Sequence, residues 1–245
     1  MSSRRSLEFH RFSLTTPNAV EFAPDTLVIA GWTGRDRAAV EHHIEELADL
    51  GVPRPSQTPL YYRVSASRLT QEDVIEALGE TSSGEAEPVL LSMKDGLFLG
   101  IGSDHTDRHV EAYSVAVSKQ MCAKPLARVL WDCREIANHW DRLIVRSFID
   151  DPAQGGKRVL YQEGSLAQIA PPTHLIEGYE GAVESDNPEH AGRIGLPVGT
   201  VMFLGTFAAL GGVRSAPRFE MQLHDPVRKR TISHSYRIDV LPVVN

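Results

Sequence analysis

The segment from Gly100 to Pro125, GIGSDHTDRHVEAYSVAVSKQMCAKP, gathers two aspartates, two histidines, an arginine, a glutamate, two lysines and a cysteine close behind an apolar run, Pro88 to Leu91. Ionisable groups are expensive to place beside a core strand unless they pair, hold a ligand or do chemistry, so this segment is the first candidate for a site. The same residues also suit a solvated loop and helix start, because Ser103, Asp104, Thr106 and Asp107 are ordinary turn and cap residues. Upstream, Glu85 and Glu87 stand at i and i+2, which in an extended chain puts both carboxylates on one side. Like charges held that close repel, and a divalent cation relieves the repulsion; as solvated loop residues they would need none. His105 and His109, at i and i+4, would reach one Zn²⁺ with Asp104 or Asp107 if their segment were helical.

Several elements must position these groups. Leu7 to Leu14 and Thr26 to Ala30 read as strands, the second ending at Gly31. Asp36 to Leu50 is the clearest amphipathic helix, with Val40, Ile44, Leu47 and Leu50 on one face and Gly51 as its C-cap. His43 falls on that apolar face, one turn from Glu46, while His42, Glu45 and Asp49 point away. Leu60 to Ser65 reads as a strand, and Thr70 with Asp73 as a capping box for a short helix through Leu78. Asp132 with Glu135 predicts a second capped helix, whose Ile136, Trp140, Leu143 and Ile144 recur at helical spacing. Ser165 to Ile169 predicts one helical turn, and Val159 to Tyr161 a strand. From Gly199 the run GTVMFLGTFAALGG is a buried strand opening into a glycine-flanked turn, where backbone amides can approach a ligand. Phe219 to Leu223 and Ile232 to Val240 alternate around DPVRKR as a terminal hairpin, and His174 and His190 are placed on the surface.

The chain of 245 residues, 42% hydrophobic, supports a core of its own. A net charge of −7 with no long block of like charge argues against nucleic acid or an anionic membrane as partner and favours a small molecule. No apolar run reaches membrane-span length, no apolar h-region follows the N-terminal arginines, and two cysteines outside any CxxC spacing suit a reducing compartment. A cytoplasmic protein is the expectation.

Taken in order from about Gly31 onwards, these segments resemble the fumarylacetoacetate hydrolase superfamily, in particular its C-terminal catalytic domain. Glu85-Ala-Glu87-Pro-Val-Leu-Leu is similar to a family strand beginning E-x-E, and Ser103-Asp104-His105-Thr106-Asp107-Arg108 to N-D-x-[ST]-x-R-D. The resemblance implies that Glu85, Glu87 and Asp104 bind a divalent metal, Mg²⁺ or Mn²⁺, and that Arg108 is catalytic beside it, stabilising a developing oxyanion together with the active-site lysine. Ser118-Lys119-Gln120 resembles the G-K-S segment, which makes Lys119 the active-site lysine, with Lys124 as the alternative. Gly199 to Gly211 is similar to the family's G-D-V-I-x-T-G-T-P-x-G-V-G, implying that Gly205 and Thr206 bind substrate. His43 and Glu46 resemble an H-x-x-E element and would serve as general base and orienting group, although GWTGRD replaces the preceding G-x-N-Y. Glu111 occupies the place of a substrate-contacting glutamine, which would repel an acid oxygen unless one partner were protonated.

The implied fold is α+β, a β-rich mixed sandwich or roll with peripheral helices. It forms a single domain over 1–245, with an N-terminal strand and helix lobe (about 1–58) packed on a catalytic core (about 59–245). The implied function is metal-dependent turnover of a small oxo acid or 1,3-dicarbonyl, foremost hydrolytic C–C cleavage through a metal-held enolate. Decarboxylation, hydration or tautomerisation on the same site is the alternative, and a non-catalytic binding protein is the reading from another class. Relatives of this kind imply a homodimer.

Overall fold

The computed structural model describes residues 5–12, 17–49, 54–184 and 194–244, leaving aside the side chains of 12, 17, 18, 43 and 46–49. Eight strands form one mixed sheet in the order Pro17–Phe22, Leu7–Phe12, Val129–Asp132, Gly96–Ser103, Ala86–Met93, Thr200–Phe203, Thr26–Gly31 and Leu60–Val64. A five-stranded sheet packs against it, in the order Lys157–Ser165, Ile144–Asp151, Arg218–Asp225, Arg230–Leu241 and Val74–Leu78. Helices are few and peripheral, so the α+β, β-rich expectation holds. Among the described residues no helix is long and apolar enough to cross a membrane.

The two-residue period of the strands sorts the large sheet into two apolar faces. Val28, Leu90, Leu99, Ile101 and Met202 pack towards the smaller sheet, against Val145, Met221, Leu223 and Ile232. Leu27, Ile29, Val89, Leu91, Val201 and Phe203 fill a second core on the opposite face. Glu87 shares its parity with Val89 and Leu91, so its carboxylate leaves the strand on the second face. Ala86–Met93 and Gly96–Ser103 form an antiparallel hairpin whose register runs from Met93 opposite Gly96 to Ala86 opposite Ser103. The connecting residues are Lys94 and Asp95 alone, a tight turn of the kind that dictates register.

The helix Arg37–Asp49, α1, forms as expected, with the Asp36 carboxylate accepting from Ala38 N and Ala39 N at 3.0 and 3.2 Å. Ile44 is buried and His42 and Glu45 are exposed; Leu50 and the C-cap at Gly51 lie outside the described residues. The Ser165 turn and the terminal hairpin also form.

One predicted helix does not form, and another forms only in part. Val74–Leu78 is a strand pairing in parallel with Arg237 to Leu241, because Ile75 and Ala77 alternate inward. Thr70 caps nothing there; its hydroxyl accepts locally from Glu72 N at 3.2 Å. The helix at Cys133 ends at Ile136, passes into a 3-10 segment through Arg142, and Ile144 begins the strand Ile144–Asp151. Asp132 does cap it, accepting from Arg134 N, but Glu135 turns away to Arg230 at 3.1 Å. Strict alternation of buried Val145, Ser147, Ile149 and Asp151 outweighs the chance helical spacing of the residues before it.

Candidate metal centre and active site

The hairpin register builds the carboxylate cluster. Asp104 N donates to Glu85 O at 2.9 Å, extending the ladder one pair beyond Ala86 and Ser103, so Asp104 lies directly across from Glu85. Glu87 follows on the same face, and one carboxylate oxygen from each of Glu85, Glu87 and Asp104 lies within 4.8 Å of the other two. Asp104 is wholly buried and Glu87 almost so.

Three cations surround this cluster. Lys119, on the helix Val115–Met121, ion-pairs with Asp104 Oδ2 and lies 3.8 Å from Glu85, its ammonium 5.7 Å from the centre of the Tyr62 ring. Lys124 lies on the other side, 3.0 Å from Asp104 Oδ1, and donates to His105 O at 2.6 Å. Its ammonium is sealed, whereas the Lys119 side chain keeps 8% of its surface exposed, so Lys119 is the more accessible of the two. Arg108 is held on three sides, by Glu85 at 3.2 Å, Glu111 at 2.8 Å and Ser83 Oγ at 2.7 Å. Glu111 is therefore neutralised by Arg108 rather than left free to repel an acid.

Burial alone would raise the Asp104 pKa, but Lys119 and Lys124 outweigh it and hold the group at about 2. Burial pushes Glu87 well above the usual carboxylate range; Asp104 and Glu85 push the same way, and Lys119 and the Gly205 N–H only partly offset them. Burial would lower Lys119, yet Asp104, Glu85 and Glu87 keep it above its ordinary value and firmly cationic. Burial lowers Lys124, partly countered by Asp104.

The glycine turn after Thr200–Phe203 closes the site. Gly205 N donates to Glu87 Oε2 at 2.8 Å, at a backbone φ of +103°, and an added Cβ would stand 1.9 Å from Thr33 Oγ1, so only glycine fits. Thr206 is placed differently from its expected role. Its hydroxyl donates to Ala86 O at 2.9 Å and accepts from Gln162 Nε2 at 2.8 Å, so its proton is committed to the scaffold. Gln162 is a residue missed by sequence reasoning; it also binds Phe207 O, Ala86 N and Ser147 Oγ, tying the turn to the start of the glutamate strand. Tyr62 and Trp32 were missed too. Alternation along LYYRV puts Tyr62 on the face away from Tyr61 and Arg63, and the Trp32 indole hydrogen-bonds its hydroxyl.

The zinc reading fails. His105 is not helical but buried between Tyr236 Oη and Ser82 Oγ, at 3.0 and 2.9 Å, and burial holds its pKa down to about 3, so it is a neutral core histidine. His109 is exposed on the helix Arg108–Tyr113, and Asp107 is that helix's N-cap, accepting from Val110 N at 2.9 Å. The side chains of His43 and Glu46 lie outside the described residues, so their proposed pairing stays an expectation.

The residues fit a hard divalent ion. Glu87 is buried with one backbone hydrogen bond, Asp104 Oδ1 receives no hydrogen bond of good geometry, and all three donors are carboxylate oxygens.

The two packed sheets make a fold similar to that of a fumarylacetoacetate hydrolase family protein and of a 2-keto-3-deoxy-D-arabinonate dehydratase. A yeast fumarylacetoacetate hydrolase family protein, Ynq8, is similar over 90% of this chain and 95% of its own, with 14% identity and a TM-score of 0.58. A 2-keto-3-deoxy-D-arabinonate dehydratase complexed with magnesium and 2,5-dioxopentanoate is similar over 95% of this chain and 79% of its own, with 13% identity and a TM-score of 0.60. Its apo form gives 94%, 78%, 14% and 0.57 in the same order. Within that fold, a family model described as a protein of unknown function, DUF2848, matches residues 30–236, and the chain belongs to that family. No curated protein matches the sequence.

Proposed function

We propose that this protein is a divalent-metal-dependent enzyme acting on a small 2-oxo acid or 1,3-dicarbonyl compound, with hydrolytic C–C cleavage as the leading reaction. The observation that carries the reading is the convergence of Glu85, Glu87 and Asp104 to within 4.8 Å beside the Lys119 ammonium. Mg²⁺ or Mn²⁺ held by these three carboxylates would polarise a chelated carbonyl and its neighbouring acid oxygen. Four carboxylates, counting Glu111 and an ionised Glu87, face Arg108, Lys119 and Lys124, which leaves one negative charge; a divalent ion turns this into one positive charge, suited to a single carboxylate.

Lys119 remains protonated, so it donates a hydrogen bond to an oxyanion forming on the substrate rather than attacking as an amine. Arg108 fixes Glu85, and Gly205 fixes Glu87, while Gln162 and Thr206 lock the turn that carries Gly205. His43, oriented by Glu46, would take a proton from water in the hydrolytic reaction. Dehydration, decarboxylation or tautomerisation on the same residues is the second reading, favoured by the similarity in fold to a dehydratase that carries magnesium and 2,5-dioxopentanoate. A small-molecule substrate, a homodimer and a cytoplasmic setting belong to the same reading, and light scattering checks the dimer.

Calorimetric titration with Mn²⁺ and Mg²⁺, followed by a screen of oxo acids and acylpyruvates with the bound metal, tests the proposal. Saturable 1:1 binding lost in Glu87→Gln, together with turnover of any member of the panel, is expected. Absence of divalent binding by the wild-type protein would overturn it.

A further inference from the structure

The strand Lys157–Ser165 carries a bulge. Its register against Ile144–Asp151 shifts between Ser147 and Phe148: Ser147 stands across from Gln162 and Phe148 from Leu160, which leaves Tyr161 as the extra residue. Strict alternation would bury Tyr161 and turn Gln162 to solvent. Instead both are buried, and alternation resumes with Glu163 outward and Gly164 inward. The bulge therefore aims an amide into the interior, beside the glutamate strand. Gly164 serves the same contact, since a Cβ there would stand 2.0 Å from Phe207 Cδ1.

The amide meets Ala86, the residue between Glu85 and Glu87. Thr200–Phe203 pairs with the glutamate strand as far as Phe203 opposite Val89, and the ladder continues with Leu204 N donating to Pro88 O at 3.1 Å. The next rung would join Thr206 to Ala86, but Gly205 turns the chain there at a φ of +103°, and two side chains stand in for the backbone. The Thr206 hydroxyl donates to Ala86 O at 2.9 Å, Gln162 Oε1 accepts from Ala86 N at 3.0 Å, and Gln162 Nε2 donates to Thr206 Oγ1 at 2.8 Å. These three bonds close a ring around Ala86. Ser147 Oγ, donating at 2.8 Å, and Phe207 O, accepting at 2.6 Å, fill the two remaining places on the amide. A carboxylate at 162 would face the oxygens of Thr206 and Phe207, and a thioether would leave Ala86 N and Phe207 O without these partners.

We infer that Gln162 is a positioning residue for the carboxylate centre: through Ala86 it fixes the spacing between Glu85 and Glu87, and through Thr206 and Phe207 it keeps the Gly205 N–H on Glu87. The inference rests on the metal-binding reading above. It assigns the preorganisation of that centre to a side chain whose own hydrogen bonds go to none of the three carboxylates.

The test is Mn²⁺ calorimetry on the full chain, with the urea midpoint of each protein measured alongside. Folded Gln162→Met should bind Mn²⁺ about 10- to 100-fold less tightly than wild type, the usual effect of losing a group that orients a metal ligand. Ser147→Ala removes a hydrogen bond from the same amide oxygen but leaves the ring closed, so it should keep wild-type affinity whatever happens to its midpoint. Thr206→Val opens the ring from the other side and should weaken Mn²⁺ binding in the same sense, which carries the test should Gln162→Met not fold. Wild-type affinity in folded Gln162→Met or Thr206→Val, or a loss in Ser147→Ala as large as theirs, would overturn the positioning role and leave the metal-binding reading standing. Failure of the wild-type protein to bind Mn²⁺ would remove both.

Discussion

Replacing Asp104 by Asn should weaken the protein even with no metal present. Asp104 is the shared counter-ion of two buried ammonium groups, Lys119 and Lys124. Without it the ion pair left to Lys119 is the one with Glu85, at 3.8 Å, and Lys124 is left with its hydrogen bond to the His105 carbonyl. Two routes give the magnitude. A pKa held at about 2 against an ordinary 3.8 corresponds to about 2 kcal/mol at neutral pH. Breaking a buried pair while leaving the partner charged costs about 3–5 kcal/mol. The sign is that of a depressed carboxylate: the stabilisation is present above the unfolded pKa and lost as pH falls through the folded one.

Glu87 has the opposite sign. Its raised pKa means that the ionised form opposes folding at neutral pH, so Glu87→Gln should leave the metal-free protein as stable as wild type or more so. Urea unfolding in excess chelator reads both, and the Asp104→Asn midpoint should drop by on the order of 1 M or more. A wild-type midpoint for Asp104→Asn, or an equal loss in Glu87→Gln, would refute the assignment of charge within the cluster.

Three further outcomes follow from the same geometry. Lys119→Met should lower turnover by on the order of 100-fold while keeping divalent affinity within a few-fold, since in the proposed function Lys119 donates to substrate and is not a ligand of the ion; kinetics with the screened substrate and calorimetry separate the two. His105, held neutral at about pKa 3 against 6.5, makes stability fall as pH drops from 6.5 towards 3, by up to about 1.4 kcal/mol per unit, and His105→Asn should flatten that slope in denaturant titrations at pH 7, 6 and 5. Gly205→Ala should lose soluble protein or several kcal/mol, because φ is +103° and Thr33 occupies the space; partial recovery in Gly205→Ala with Thr33→Ala is the check that the clash is the cause.

The carboxylate cluster was legible in part: two glutamates at i and i+2 beside the apolar run Pro88 to Leu91 were visible, Asp104 was added by resemblance, and the strand Gly96–Ser103 that brings it alongside was not read from the sequence. Lys119 was legible by resemblance, but that it keeps some exposure while Lys124 is sealed depends on how Val115–Met121 seats, which no spacing encodes. Thr206 was assigned to substrate by resemblance; its partner Gln162 lies 44 residues earlier in the chain, and only the fold shows that the proton is already used. The mistaken helix in VIEAL and the overlong one from Asp132 have separate causes: in VIEAL a local cap signal hid two-residue alternation and pairing with a distant strand decided the outcome, whereas the helix from Asp132 forms but tightens to 3-10 after Ile136 and stops before Ile144, which opens a strand.

The two-residue turn at Lys94 and Asp95 lies at the opposite end of the hairpin from Glu87, yet it acts as the ruler for the whole site. A one-residue slip there would carry Asp104 out of step with Glu85. An insertion that bulges outward and spares the ladder would do no such harm. The spacing of the three carboxylates is thus calibrated at a remote solvent-facing bend that touches none of them.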